Sequence, residues 1–210
     1  EEIPSWIMQG YGTMANEASD QLRQCGVNRP THVFVQAGVG SLAGAVVGYF
    51  TNLYPNDPPK FVVMEARAAD CLYQGALAND GAPRIVTGDL QTIMAGLACG
   101  EPNTISWDIL RNHVSAFISC PDWVSAKGMR MLSASVKGDP RVISGESGAV
   151  GMGTLDAIMC DDTYKELRDA LELDRHSRVL MFSTEGNTDP EKYRRVIWDG
   201  EYPTTETPQK

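Results

Sequence analysis

Apolar side chains recur at three- and four-residue steps through Trp6, Ile7, Met8, Tyr11, Met14, Ala15, Ala18 and Leu22, with Glu17, Asp20 and Arg23 between them. That period predicts one amphipathic helix over 5–24, stopped by Gly26. The pattern then changes. His32 to Gln36 carries the continuous apolar run Val33, Phe34, Val35 and predicts a short buried strand. Glycines follow at once, then a small-residue run from Ala43 to Phe50 with helical character, closed by Pro55, Asp57, Pro58 and Pro59. Phe61 to Met64 is a second strand-like run, and Ala66 to Ala78 reads as another helix. Strand, helix, strand, helix at these lengths predicts an α/β fold: a parallel sheet covered by helices.

From Gly81 to Gly100 the chain is rich in glycine and small residues, which predicts loop with one short helix near Thr92. Helices are predicted over Ser106–Ala116, Asp122–Ser135, Ser147–Met159, Thr163–Leu173 and Pro190–Trp198. Arg178–Ser183 reads as the last buried strand, and Phe117–Cys120 is apolar but too short to assign. No repeat or linker interrupts the pattern, so residues 1–210 read as a single α/β unit with a mobile tail from about Tyr202, where prolines and threonines accumulate.

Composition narrows the classes. Lys and Arg number 18 against 27 Asp and Glu, a net charge of -9, and no basic cluster offsets it locally, so nucleic acid is not an expected partner. No apolar stretch approaches the roughly 18 to 20 residues of a membrane span, and the opening Glu1, Glu2, Ile3, Pro4 lacks the basic and apolar regions of a signal peptide. The five cysteines, at 25, 71, 99, 120 and 160, have no paired short spacing, which argues against a zinc site or a disulfide framework and makes a reducing cytoplasm the default location. His32, His113 and His176 lack ligand spacing, so no metal site is expected. The chain has no initiator Met, and a helical pattern begins within a few residues of its start. That leads to the expectation of further chain upstream.

The strongest chemical signal is Gly38, Val39, Gly40, Ser41, Leu42, Ala43, Gly44, lying between a predicted strand and a predicted helix. Consecutive backbone N–H groups there can converge at the positive end of a helix dipole, a device for holding an anion and most often a phosphate. Three readings stand on spacing alone. The loop is a tight turn with nothing bound; or Gly38, Gly40 and Ala43 or Gly44 approximate the dinucleotide fingerprint, with Glu65 placed to meet a ribose; or the loop cradles the phosphate of another cofactor.

Several blocks in order along the chain decide among them: Ile3 to Gly12 (IPSWIMQGYG), Thr31 to Gly44, Thr92 to Pro102 (TIMAGLACGEP), Ile143 to Gly151 (ISGESGAVG), Ser183 to Gly186 and Trp198. On these the sequence resembles the fold type II, tryptophan synthase β-like family of pyridoxal phosphate enzymes, and within it the carbon–nitrogen lyases of amino-acid catabolism. The resemblance implies the C-terminal portion of such an enzyme, with pyridoxal 5'-phosphate as cofactor and its phosphate on Gly38, Val39, Gly40, Ser41, Leu42 and Ala43. It implies a hydroxyl partner for the pyridine nitrogen at Ser183 or Thr184, Thr184 preferred because it directly precedes Glu185 and Gly186, and Glu146 facing the ring or simply opening a helix. It further implies a small amino-acid substrate, α,β-elimination of ammonia from a 2,3-diamino acid to leave pyruvate, and a homodimer. The alternative is a non-catalytic or dinucleotide-binding module using the same loop.

The cofactor lysine is the gap. Lys60 follows two prolines, Lys127, Lys165 and Lys192 sit on predicted helices with polar spacing, Lys137 is in a loop and Lys210 is terminal. The family's phenylalanine-lysine motif and its acid/base aspartates stand upstream of the glycine loop, and nothing here matches them. The chain is therefore expected to be inactive alone, or to work beside a separate chain carrying the N-terminal part. Cys71 and Cys99 bracket the irregular segment near the mouth of the implied site; free thiols are the default and a labile disulfide the alternative.

Overall fold

A computed structural model describes residues 2–204. Four strands, β1 (His32–Gln36), β2 (Lys60–Ala66), β3 (Ala116–Cys120) and β4 (Val179–Met181), form one sheet of order β3-β2-β1-β4, and every pairing is parallel. β1 and β2 lie in the middle and are buried on both faces, which is why they read as unbroken apolar runs. Val33, Val35, Phe61 and Val63 point to one face, against α1 (Glu2–Gln24), α2 (Ser41–Leu53), α3 (Cys71–Ala78) and α4 (Thr104–His113). Phe34, Val62, Met64 and Ala66 point to the other, against α5 (Asp122–Ser133), α6 (Glu146–Cys160), α7 (Lys165–Leu171) and α8 (Pro190–Ile197).

Several boundaries differ from the sequence reading. Ala66–Ala78 is not one helix: Ala66 ends β2, Arg67–Ala69 is a 3-10 turn, and α3 begins only at Cys71. Thr92 is not helical, and the short turn falls at Ala95–Leu97. Phe117–Cys120 belongs to β3, and Ala116, read as helix, starts that strand. β4 is a three-residue edge strand that is only half-buried. The apolar stripe of α1 meets the core at Ala15 and Ala18, whereas Ile3, Trp6 and Ile7 stay exposed. Of the tail expected from Tyr202, Arg130 donates to the Glu201 and Tyr202 carbonyls, and 205–210 lie outside the described residues.

Helices α5 and α6 pack backbone against backbone. A Cβ on Gly128 would overlap the Ala149 carbonyl, and one on Gly153 would overlap the Val124 carbonyl. This contact sets the height of α6 above the sheet, and hence where its N-terminus meets the end of β4.

Candidate cofactor site

Because β2 lies on one side of β1 and β4 on the other, the order in which the parallel strands are added reverses between β1 and β4. In open parallel sheets the crevice beyond the strand C-termini at such a point is where ligands bind. Here it is a cleft of ≈ 490 Å³, lined by Gln36 at the end of β1, the loop Gly38–Leu42, Gly96, Leu97 and Cys99 from the irregular segment, Ser147 of α6, and Ser183–Glu185 after β4, with Tyr11 and Met14 of α1 across the opening.

The loop is shaped for close approach. Gly40 caps α2 in the left-handed region, φ 98, and a Cβ there would lie 3.2–3.3 Å from Leu110, Leu72 and Ser106, so only glycine suits the position. The backbone amides of Gly38 to Ala43 find no acceptor among the described residues, and the first helical bond of α2 is Gly44 N–H to the Gly40 carbonyl, 2.7 Å. Unsatisfied donors at the N-terminus of a thirteen-residue helix are the physical requirement for an anion site. Asn103 holds the loop from behind, donating from Nδ2 to Ser41 Oγ (2.9 Å) and from its backbone to the Val39 carbonyl (2.8 Å). Gly44 serves a different purpose: a Cβ there would press on Ser106 of α4 at 2.9 Å.

Opposite the loop, the segment after β4 is clamped onto α6. The Glu185 carboxylate accepts from the Ser147 and Gly148 amides, and Gly145 N–H donates to the Glu185 carbonyl at 3.0 Å. A Cβ at Gly145 would sit 2.6 Å from Glu185 Cγ, and one at Gly148 would sit 3.1 Å from Thr184 N. Gly145 and Gly148 of the block Ile143–Gly151 are thus needed to let this segment lie against the helix. Ser147 Oγ is buried at the cleft and has no partner among the described residues.

Of the residues singled out from sequence, Gly38 to Leu42, Ser183 and Thr184 come together around the cleft, while the Ala43 side chain faces the core and contributes only its backbone. Glu146 is placed elsewhere: it opens α6 but its carboxylate pairs with Lys192 Nζ, 3.3 Å. Sequence reasoning missed Glu185, visible there only as a neighbour of Thr184, and Gln36, a lone polar residue closing an apolar strand. Among the described residues no lysine lines the cleft; Lys60, Lys127, Lys165 and Lys192 are each paired with a carboxylate elsewhere. Cys71 and Cys99 are free thiols, with Cys71 Sγ 3.8 Å from the Cys99 carbonyl. Burial, with the Glu65 carboxyl next to it, pushes the Cys71 thiol up to about 12.

Glu65 does not stand where a ribose would meet it. It is fully buried and accepts from the Leu72 and Tyr73 amides at 2.9 and 2.6 Å, capping α3 from a distance. Burial pushes its carboxyl from 4.5 up to about 8, against the pull of those two amides. The folded state therefore holds a proton that the unfolded chain releases, and stability is expected to fall as pH rises from 4.5 to about 8, with a slope of at most one proton. Denaturant melts across that range should show it. Glu65→Gln should flatten the slope, and an unchanged slope in the variant would reject the assignment.

Residues 4–185 match the family model described as "Pyridoxal-phosphate dependent enzyme". The chain belongs to that family. The diaminopropionate ammonia-lyase of Salmonella typhimurium is 52% identical over 201 residues, covering 95% of this chain and 50% of its own length. Among solved structures, the Escherichia coli diaminopropionate ammonia-lyase in complex with D-serine superposes with a TM-score of 0.88 at 46% identity, over 98% of this chain and 50% of that one. The same E. coli enzyme in complex with an aminoacrylate–PLP azomethine reaction intermediate gives a TM-score of 0.86 at 48% identity, over 96% and 50%. The chain spans about half the length of the curated relatives it matches.

The residues of the cleft fit pyridoxal 5'-phosphate: six amides without acceptors at one end suit a phosphate dianion, and an exposed threonine hydroxyl at the other suits a ring heteroatom.

Proposed function

We propose that this chain is the cofactor-cradling part of a pyridoxal-phosphate-dependent ammonia-lyase. It acts on 2,3-diaminopropionate, converting one substrate and one water to pyruvate and two ammonia. The observation that carries the reading is the set of unpartnered amides from Gly38 to Ala43 facing Thr184 across the crevice between β1 and β4, in a chain half-identical to diaminopropionate ammonia-lyases. When bound, the cofactor supplies the electron sink for loss of the Cα proton and the β-amino group. The loop amides and the dipole of α2 hold its phosphate. The Thr184 hydroxyl, with Ser183 beside it, donates to the ring nitrogen and leaves that nitrogen unprotonated. Glu185 fixes this segment on α6, and Glu146, paired with Lys192, steadies the same helix end.

The lysine that reacts with the cofactor and the acid/base aspartates belong, in this reading, to the half of the relatives' length that this chain does not match. The working protein is a cytoplasmic homodimer in amino-acid catabolism, residues 1–210 forming one α/β unit within each subunit. In equilibrium dialysis the protein is expected to retain pyridoxal phosphate and not NAD. It is expected to release no pyruvate from 2,3-diaminopropionate until a polypeptide matching the other half of the relatives is added. Retention of NAD alone, or pyruvate formed by this chain by itself, would overturn the reading.

A further inference from the structure

Gln36 ends β1 with its side chain only 2% exposed, in the middle of the sheet, where a polar group is costly unless every hydrogen bond is made. Its amide nitrogen uses both hydrogens on the neighbouring strand's exit, donating to the Phe182 carbonyl at 3.0 Å and to Thr184 Oγ1 at 2.8 Å. The first bond determines the second. A backbone carbonyl can only accept, so Phe182 selects the NH2 end of the amide, and with nitrogen on that side the Thr184 oxygen must be an acceptor. A hydroxyl that accepts from Gln36 keeps its own hydrogen for another group. Among the described residues Thr184 donates to none, and it lines the cleft.

We infer that Gln36 is a positioning residue: through Thr184 it fixes a hydroxyl hydrogen pointing into the cleft, so that the site selects a ring nitrogen in its unprotonated, accepting form. This deepens the cofactor reading above and rests on it. Chemically, a threonine free to rotate serves a protonated pyridinium as acceptor or a neutral pyridine as donor. With one lone pair held by Gln36, the hydroxyl hydrogen is turned away from that amide and toward the cleft, and the donor role is favoured. The choice of protonation state is thus made through Thr184, by a side chain whose amide hydrogens are both spent on the exit of β4.

The test uses pyridoxal phosphate labelled with 15N in the ring, bound to the protein. In the wild type the nitrogen shift should report the unprotonated form at neutral pH. Gln36→Glu presents a carboxylate that accepts from Thr184 and turns the hydroxyl around. The nitrogen should then shift to the protonated form at neutral pH, with cofactor affinity about tenfold weaker, the size expected of one misdirected hydrogen bond. A purely structural role would lower the melting temperature and affinity without moving the nitrogen shift. Should Gln36→Glu fail to fold, the uncharged Gln36→Met and Thr184→Val form a double-mutant cycle. Gln36→Met should weaken cofactor binding several-fold with Thr184 present and leave it unchanged in the Thr184→Val background. An unmoved nitrogen shift in Gln36→Glu, or equal losses on both arms of the cycle, would overturn the inference. Gly40→Ala separates the two levels, because cofactor affinity indifferent to that loop change would sink the cofactor reading itself.

Discussion

Gly153→Ala is expected to lower stability by about 3 kcal/mol, the upper part of the range for forcing atoms into a packed interior, and to lower the melting temperature by about 10 °C for a chain of this size. The sign is not obvious in advance. Alanine is the better helix former by about 1 kcal/mol, and Gly153 sits inside α6, where that gain should be realised. Against it stands the Val124 carbonyl of α5, which the added carbon would overlap, with Val124 Cγ1 also only 3.1 Å from that carbon. A backbone carbonyl cannot swing aside as a side-chain tip can, so the two helices must separate and open the cluster of Ala126, Met129, Ala149 and Val150 beneath them. The overlap wins. Thermal denaturation of the variant is the measurement, and a melting temperature at or above that of the parent would reject the backbone-to-backbone contact.

Gly40→Ala is expected to weaken pyridoxal phosphate binding more than tenfold while leaving the fold intact. At φ 98 an alanine is strained by about 1–2 kcal/mol, and its Cβ would press on Leu110, Leu72 and Ser106 at 3.2–3.3 Å. Those neighbours are fully buried, whereas the loop borders the cleft, so the strain is relieved by moving the loop rather than by unfolding. Displacement of the amides from a common focus removes several charge-assisted hydrogen bonds to the phosphate together. Fluorescence titration with the cofactor, read beside a thermal melt, distinguishes lost binding from lost structure. Unchanged affinity would mean that the phosphate does not sit on this loop.

What could be read from the sequence follows from where each residue's partners lie. β1 was legible to the residue because both its faces are covered, and its burial shows as an uninterrupted apolar run. β3 was not, because it is an edge strand, half-covered except at Cys120, and Phe117–Cys120 carries neither a long run nor an alternation. The alanines after Glu65 read as helix on local preference, whereas the chain there makes a 3-10 turn so that Glu65 can reach the amides at the start of α3. The glycine loop declares itself locally. Gln36 does not, since its two partners lie 146 and 148 residues away and nothing in its neighbourhood marks the junction. Blocks of resembling sequence brought Thr184 into view; only the fold brings in the amide that orients it.

Two helices, α2 and α6, aim their N-termini at one cleft, and their backbones alone do not distinguish which end should receive an anion. Glu185 breaks that tie by supplying α6 with a carboxylate from within the protein, while the start of α2 is left bare. The cleft consequently has a built-in polarity: a rod-shaped ligand with one charged end has a single orientation in it, set before it arrives by which of the two helix starts the chain has already plugged.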